Sequence, residues 1–369
     1  MRLEDLCKVF TDGDWIESKD QSESGIRLVQ TGNVGEGKYL EKTDRAKYIS
    51  EETFERLKCT EIYPGDVLVS RLPEPVGRAC IIPAEKTERM ITAVDCTICR
   101  PDESKILKEY LCYFMQSEAY YSRLMSNVAG TTRKRISRKN LGNVKLDVPD
   151  KGVQAEVVKK LDLLAHIIDR RCEELKKMDE LIKARFVEMF ETGEYPVEKL
   201  DGVCSKITDG THKTPNYLDK GITFISAKNI VNGELDFSDV KHISEEEYQE
   251  IQKRCQTERG DILLSKSGSL GAPVIVKTDE KLGLFESLAV LKYDRNKVLP
   301  EFLCEQLKTD RIQRQFMTGT KGVAIKHLHL GVIADIDVIV PSLEDQNRFA
   351  IFAKQVDKSK FRVVNKCII

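Results

Sequence analysis

No apolar run in this 369-residue chain approaches the eighteen or so residues that cross a bilayer, which excludes a helical membrane span. Neither sign of charge is in excess. The 59 Lys and Arg face 60 Asp and Glu for a net of −1, so a global basic surplus is missing and any basic face must be local. Tryptophan occurs once, and the five histidines (His166, His212, His242, His327, His329) follow no metal-ligand spacing. The phosphate-cradling Gly-x-x-x-x-Gly-Lys-Ser/Thr is absent, as are His-Glu-x-x-His, Gly-x-Ser-x-Gly and Gly-x-Gly-x-x-Gly. So is the Asn/Asp-Pro-Pro-Tyr/Phe run of amino-methyltransferases. Pro149-Asp150 with Glu174-x-Lys176 imitates a nuclease pattern. There, however, both acids and the lysine must meet at a magnesium ion, and here Glu174 and Lys176 straddle a leucine inside a long helical run. No catalytic residue, cofactor or metal is therefore expected.

Composition points to a globular chain, with 41% hydrophobic and 32% charged residues. Most of the eleven cysteines are single and sit among apolar neighbours, as small core hydrophobes do in a reducing compartment. Cys96 and Cys99 form one Cys-x-x-Cys, but they lie in a strand-like run, face opposite sides and lack a second pair to complete a zinc tetrad. Met1-Arg2-Leu3-Glu4-Asp5 puts acids where a signal peptide has its apolar core, which predicts a cytoplasmic protein.

What the chain does have is a second copy of itself. Gly65-Asp66-Val67-Leu68-Val69-Ser70-Arg71 returns 195 residues later as Gly260-Asp261-Ile262-Leu263-Leu264-Ser265-Lys266. Lys47-Tyr48-Ile49-Ser50-Glu51-Glu52 returns as Lys241-His242-Ile243-Ser244-Glu245-Glu246, and Asn33-Val34 as Asn229-Ile230. A period near 195 is a whole domain rather than a solenoid unit of about 20–50 residues. Each copy mixes short β-like runs with helices. The first predicts a helix over 107–126 and a closing strand over 144–148; the second predicts a helix near 300–316 and a strand over 336–340. Two linked modules suit a bipartite ligand.

Gly and Pro are missing from Gln154 to Phe190. Leu161, Ala165, Ile168, Cys172, Leu175, Met178, Ile182, Phe186 and Met189 succeed one another every three or four residues, a narrow coiled-coil stripe among charged residues. As one helix this stretch is roughly 55 Å long at 1.5 Å per residue. A stripe of this kind needs a partner, and Glu344-Asp345-Gln346-Asn347-Arg348-Phe349-Ala350 opens a second helix at the matching place. The fold class is thus α/β (α+β). Two homologous mixed domains, 1–150 and 196–342, are separated by long antiparallel coiled-coil spacer helices, 151–195 and 343–369, with pseudo-twofold symmetry. An ordinary core helix is the plainer alternative for the stripe.

The sharpest basic cluster is Thr131-Thr132-Arg133-Lys134-Arg135-Ile136-Ser137-Arg138-Lys139, five cations in seven residues with hydroxyls interleaved. It suits phosphate contacts and guanine edges, although a solvated charge run is the plainer alternative. Its counterpart, Thr318-Gly319-Thr320-Lys321 to Lys326, is again free of acids. Other polar loops recur in pairs. Thr208-Asp209-Gly210-Thr211-His212 matches Thr11-Asp12-Gly13-Asp14-Trp15, and Lys228-Asn229 matches Gly32-Asn33. Ser265-Lys266-Ser267 matches Ser70-Arg71 with Arg78. Side chains of these types read base edges or hold phosphates, and together they predict a polar recognition face in each copy.

With this order of blocks the chain resembles the specificity subunits of type I restriction-modification enzymes over nearly its whole length. The residues that carry the resemblance are Tyr63 to Arg71 with its copy at 260–266, Gly130 to Ser137, Thr208 to His212, and Gln154 through Phe190-Glu191. The resemblance implies that each globule is a target recognition domain reading one half of a split double-stranded DNA site. It implies that the helices fix the gap and dock methyltransferase (M) subunits, two of them, which restriction-translocase (R) subunits join. The subunit itself would be non-catalytic. Carried onto this sequence, DNA contacts centre on Arg71, Arg78 and Thr131–Lys139, and on Thr208–His212, Lys228, Asn229, Ser265–Ser267 and Thr318–Lys326. One departure is the second helix, which reads as running only from about 344 to 363 before the apolar tail Cys367-Ile368-Ile369. That predicts a truncated partner and an uncovered stripe over Leu175–Met189. A self-sufficient nuclease or methyltransferase with diverged motifs and a coiled-coil adaptor without DNA are the competing readings.

Overall fold

The structure is a computed structural model that describes residues 1–130, 134–191, 193–319 and 327–365. The chain divides into two compact units, Met1–Ile168 and Asp169–Ile369. Among the described residues, no helix is long and apolar enough to cross a membrane.

The first unit contains β1 (Cys7–Asp12), β2 (Ile26–Val29), β3 (Tyr48–Ile49), β4 (Glu61–Ile62), β5 (Val67–Ser70), β6 (Ala79–Ile81), β7 (Met90–Thr92) and β8 (Cys96–Pro101). Its helices are α1 (Glu51–Leu57), α2 (Lys108–Phe114), α3 (Glu118–Met125), α4 (Arg138–Gly142) and the start of α5 (Lys151–Phe186). The strands form two sheets, ordered β1-β8-β5-β6 and β3-β2-β7-β4. Both faces of β5 are buried, because Val67 and Val69 point to one core and Leu68 to another. The first core takes Leu111, Tyr120, Leu124 and Leu141 from α2, α3 and α4. The second lies between the sheets, and α1 covers the far side of the second sheet through Phe54 and Leu57. Cys96 and Cys99 fall into different cores, as strand alternation requires, and burial pushes the Cys96 thiol up to about 11.

The second unit repeats this plan with β9 (Val197–Lys199), β10 (Cys204–Asp209), β11 (Ile222–Ile225), β12 (Ile230–Val231), β13 (Glu234–Leu235), β14 (Lys241–Ile243), β15 (Ile262–Ser265), β16 (Pro273–Ile275), β17 (Leu282–Leu284), β18 (Leu288–Tyr293) and β19 (Asp337–Ile339). Helices α6 (Leu200–Val203), α7 (Glu245–Arg254), α8 (Pro300–Leu307), α9 (Asp310–Gly319), α10 (Leu330–Ala334) and α11 (Leu343–Asn365) complete it. The sheet order β10-β18-β15-β16 matches β1-β8-β5-β6 strand for strand. Even the register shift recurs, between Cys7 and Val9 and between Cys204 and Lys206. The parallel pair β2·β7 returns as β11·β17.

The repeated words of the sequence have structural reasons. Asp66 and Asp261 each close the turn before a core strand by accepting a backbone N–H, from Tyr63 at 2.9 Å and from Glu258 at 2.8 Å. Each also pairs with a cation on the neighbouring strand, Arg100 at 2.8 Å and Lys292 at 2.9 Å. Ser50 and Ser244 are N-caps, accepting from Thr53 N and Glu247 N.

Several local expectations are corrected. Residues 107–126 are two helices, since Ser117 caps a new one by accepting from Tyr120 N at 3.2 Å. The region near 300–316 divides likewise into α8 and α9. Residues 144–148 form no strand but make isolated bonds to the first residues, such as Leu3 N to Val144 O at 2.9 Å. The stripe is covered where exposure was expected. Ile182, Phe186 and Phe190 are buried against Phe349, Ala353 and Val356 of α11 and Phe302 of α8. Phe349 meets Phe186 and Phe190 with ring centroids 5.4 and 5.8 Å apart, while Lys360 reaches back to Asp179 at 2.6 Å, so the two segments run antiparallel.

Candidate nucleic-acid interface

Strands β1 and β5 are both antiparallel to β8, so their ends meet where β8 begins; β10, β15 and β18 repeat the arrangement. This topology brings together an acid ending the first strand (Asp12, Asp209) and a cation following the core strand (Arg71, Lys266). The chain can turn there because Gly13 and Gly210 pass against another backbone. A Cβ on them would stand 2.2 Å from Thr92 O and 2.1 Å from Leu284 O.

In the first unit, Arg71 is buried with Nε 3.3 Å from Asp12 Oδ1, an ion pair without hydrogen-bond alignment, and Nη2 donates to Val94 O at 2.5 Å. Thr97 Oγ1 donates to the same Asp12 carboxylate at 2.9 Å. Above this pair Arg138 Nη1 lies 3.8 Å from Asp12 Oδ2, and Arg135 Nη2 lies 2.7 Å from Asp95 Oδ1. Asp12, Arg138 and Lys139 line a shallow depression together with Glu4 and Phe10. Lys134 and Lys139 are exposed.

In the second unit, Asp209 Oδ2 holds the buried Lys266 ammonium at 2.5 Å, and Oδ1 pairs with Arg254, the last residue of α7. His212 Nε2 sits 3.3 Å from Asp209 Oδ1 and 3.2 Å from Arg254 Nη2. Glu286 pairs with Lys266 at 3.8 Å and with His327 at 3.4 Å. These residues, with His329 and Leu330, line an open cleft of about 580 Å³. Burial pushes the Asp209 carboxyl up, but the Lys266 and Arg254 hydrogen bonds outweigh it and leave the carboxyl below its ordinary range. Burial also lowers His327, against the pull of Glu286.

The two clusters share a backbone frame and a central acid–cation pair. Ile136 N donates to Arg71 O at 3.3 Å and Leu328 N to Lys266 O at 2.9 Å, so Arg135 and His327 occupy equivalent places, each facing an acid. Backbone and acid–cation plan are shared; the side chains presented to solvent are not.

Several expected contact residues carry structural bonds. Arg78 donates to Val34 O, Leu72 O, Pro75 O and Thr31 O, so its guanidinium is spent on clamping loops. Arg71 and Lys266 are likewise buried charges, paired with Asp12 and with Asp209 respectively. Asn229 closes its own turn, accepting from Ser226 N at 3.0 Å and donating to Asp236 O and Asp239 O at 3.1 Å each. Ser265 donates to Ser267 O, Thr208 Oγ1 lies 3.5 Å from Arg254 O, and Thr211 Oγ1 accepts from Lys213 N. Lys228 is exposed but paired with Asp239 at 3.0 Å, and Thr318 bonds to Arg314 O. Arg135, Arg138, Lys134, Lys139 and His212 do sit on the solvent side of the clusters. Thr131, Thr132, Arg133, Thr320, Lys321 and Lys326 lie outside the described residues. Sequence reasoning set Asp12 in a recurring polar loop without naming it as a contact residue, and missed Asp95, Arg254, Glu286 and His327. Only the Thr-Asp-Gly pair pointed to Asp12; Arg254 reaches Asp209 across 45 residues with no local signal. Among the described residues no group of His, Cys, Asp and Glu could hold a metal ion, and the first acid of the nuclease-like pattern, Asp150, caps α5 by accepting from Gly152 N at 2.9 Å.

Residues 1–177 and 193–368 each match the family described as type I restriction modification DNA specificity domain. The chain is 24% identical over 348 residues to the specificity subunit of the type I restriction enzyme EcoBI of Escherichia coli, spanning 82% of this chain and 71% of that one. It is 20% identical over 278 residues to the specificity subunit of the type I restriction enzyme MjaVIII of Methanocaldococcus jannaschii, spanning 69% of this chain and 65% of that one. The crystal structure of the type I restriction-modification S subunit from M. genitalium shares the fold, with a TM-score of 0.50 at 13% identity, covering 100% of this chain and 91% of that one. The chain belongs to the type I restriction-modification DNA specificity family and carries two copies of its domain.

Proposed function

We propose that this chain is the DNA-reading subunit of a cytoplasmic type I restriction-modification complex, without catalysis of its own. Residues 1–150 and 196–342 act as target recognition domains, each taking one half of a bipartite double-stranded site. Helices α5 and α11 set the gap and dock two methyltransferase subunits, through which restriction-translocase subunits join. The observation that carries this reading is the pair of matched clusters, one backbone frame holding different groups at its open side: exposed Arg135, Arg138 and Lys139 in one copy, exposed His212 and Arg254 with half-buried His327 in the other. A shared frame with exchanged side chains is what two readers of different words require, since base edges are discriminated by side-chain donors and acceptors while the frame only positions them.

The test is to exchange residues 1–150 for the corresponding domain of another family member, assemble the chain with methyltransferase subunits, and map methylated adenines. One half of the target should change and the other stay. A change in both halves would sink the modular reading, and methylation or cleavage by the purified chain alone would sink the non-catalytic one.

A further inference from the structure

Each long helix begins on a buried glutamine. Gln154 and Gln346 are both fully shielded from solvent in the first turns of α5 and α11. The Gln154 Oε1 accepts from Leu107 N at 2.8 Å, and its Nε2 donates to Pro149 O at 2.8 Å and Lys105 O at 3.1 Å. Gln346 repeats the set: Oε1 accepts from Leu299 N at 2.8 Å, and Nε2 donates to Lys297 O at 2.8 Å and Pro341 O at 2.9 Å. Neither amide is needed as a cap. Asp150 already accepts from Gly152 N and Val153 N at the head of α5, and Ser342 accepts from Asp345 N at the head of α11. The amides instead reach out of the helix to the chain just before α2 and α8.

We infer that Gln154 and Gln346 are positioning residues for split-site recognition, fixing the direction in which each helix leaves its own globule; this rests on the reading that the helices set the gap. A leucine would fill the same space and avoid burying an amide, which costs free energy unless every bond is made. Apolar packing tolerates small tilts, whereas three hydrogen bonds to two chain segments are directional. Small tilts matter here. A 36-residue helix is roughly 54 Å long, so a tilt of about 5° at its foot moves its far end by about 5 Å. One base pair adds only about 3.4 Å of rise, with a rotation of roughly 35°. A joint loose by a few degrees would no longer distinguish gaps differing by one base pair.

The experiment uses the full chain assembled with its methyltransferase subunits. Adenine methylation is measured on duplexes carrying both half-sites with the native gap, known from the methylated genome, and with gaps one base pair longer and shorter. Gln154→Met and Gln346→Met keep the volume and remove the bonds; Gln154→Asn and Gln346→Asn keep an amide too short to make all three, and serve if the methionine variants do not fold. The ratio of native to altered gap should fall about three-fold or more in the variants, with the half-site sequences unchanged. An unchanged ratio, or equal loss of rate at every gap, would overturn the positioning role. Wild-type methylation indifferent to the second half-site would instead overturn the underlying functional reading.

Discussion

At the scale of single residues, the second unit's cluster places a buried carboxylate between two cations, and the consequences can be measured. Asp209 and Lys266 are both almost fully buried. Replacing Lys266 by methionine strands part of the Asp209 charge, with Arg254 left as its remaining strong partner. The loss should be about 3 kcal/mol, read from urea unfolding at neutral pH; wild-type stability would mean that Arg254 alone suffices. Because the folded carboxyl titrates below its unfolded value of about 3.9, its contribution is present above that pH and fades as acid lowers the pH through the folded value. The gap between wild type and Lys266→Met should therefore narrow below about pH 4. In the first unit the chain's one tryptophan, Trp15, is 70% exposed and follows the same glycine turn that carries His212 in the second. An indole there can stack on a base or sugar. A duplex with the first half-site should change the Trp15 fluorescence, and one with only the second should not. A constant signal during binding seen by gel shift would place Trp15 off the interface.

At the scale of elements, the aromatic cluster of the second unit tells where helix pairing matters. Phe349 is fully buried against Phe186, Phe190 and Phe302, so Phe349→Ala should cost about 3–5 kcal/mol in thermal unfolding. Leu163 is 61% exposed, and Leu163→Gln should stay within about 0.5 kcal/mol. A large effect at Leu163 and none at Phe349 would reverse this assignment. The helices were legible in the sequence because a stripe of apolar residues repeats locally every 3.5 positions. The partner helix that carries Phe349 was legible too, but its reach over Ile182 and Phe186 was not, because Phe302 of α8 completes the cover from more than a hundred residues away and carries no mark of its target. The same division holds in the globules. Gly-Asp turns, Ser caps and Asn-closed turns are local bonds and recur as words in the sequence, which is why the duplication could be read. The acid–cation clusters join strand ends, a loop and the end of α7, so Arg254 and Glu286 gave no signal. Arg78 and Asn229 looked like readers because polar side chains that tie loops together are of the same types as those that touch bases.

At the scale of the whole molecule, a chain of net charge −1 must draw its affinity for a polyanion from confined patches, and the two patches differ in strength. The first copy has five cations within 133–139, whereas the second has only Lys321 and Lys326 within 318–326. Each phosphate neutralised by a Lys or Arg releases counterions and adds about 0.9 to the magnitude of the slope of log affinity against log salt. Lys134 and Lys139 are exposed, and neither belongs to the ion pairs that hold the Asp12 and Asp95 cluster. Changing both to alanine should therefore leave folding intact and reduce that slope by about 1.8. The target sequence should not change, because phosphate contacts position the protein without carrying sequence information. Binding of the assembled complex measured across salt concentrations gives the slope, and methylation mapping gives the sequence. An unaltered slope would remove these lysines from the phosphate contacts, and an altered target word would make them readers of bases instead.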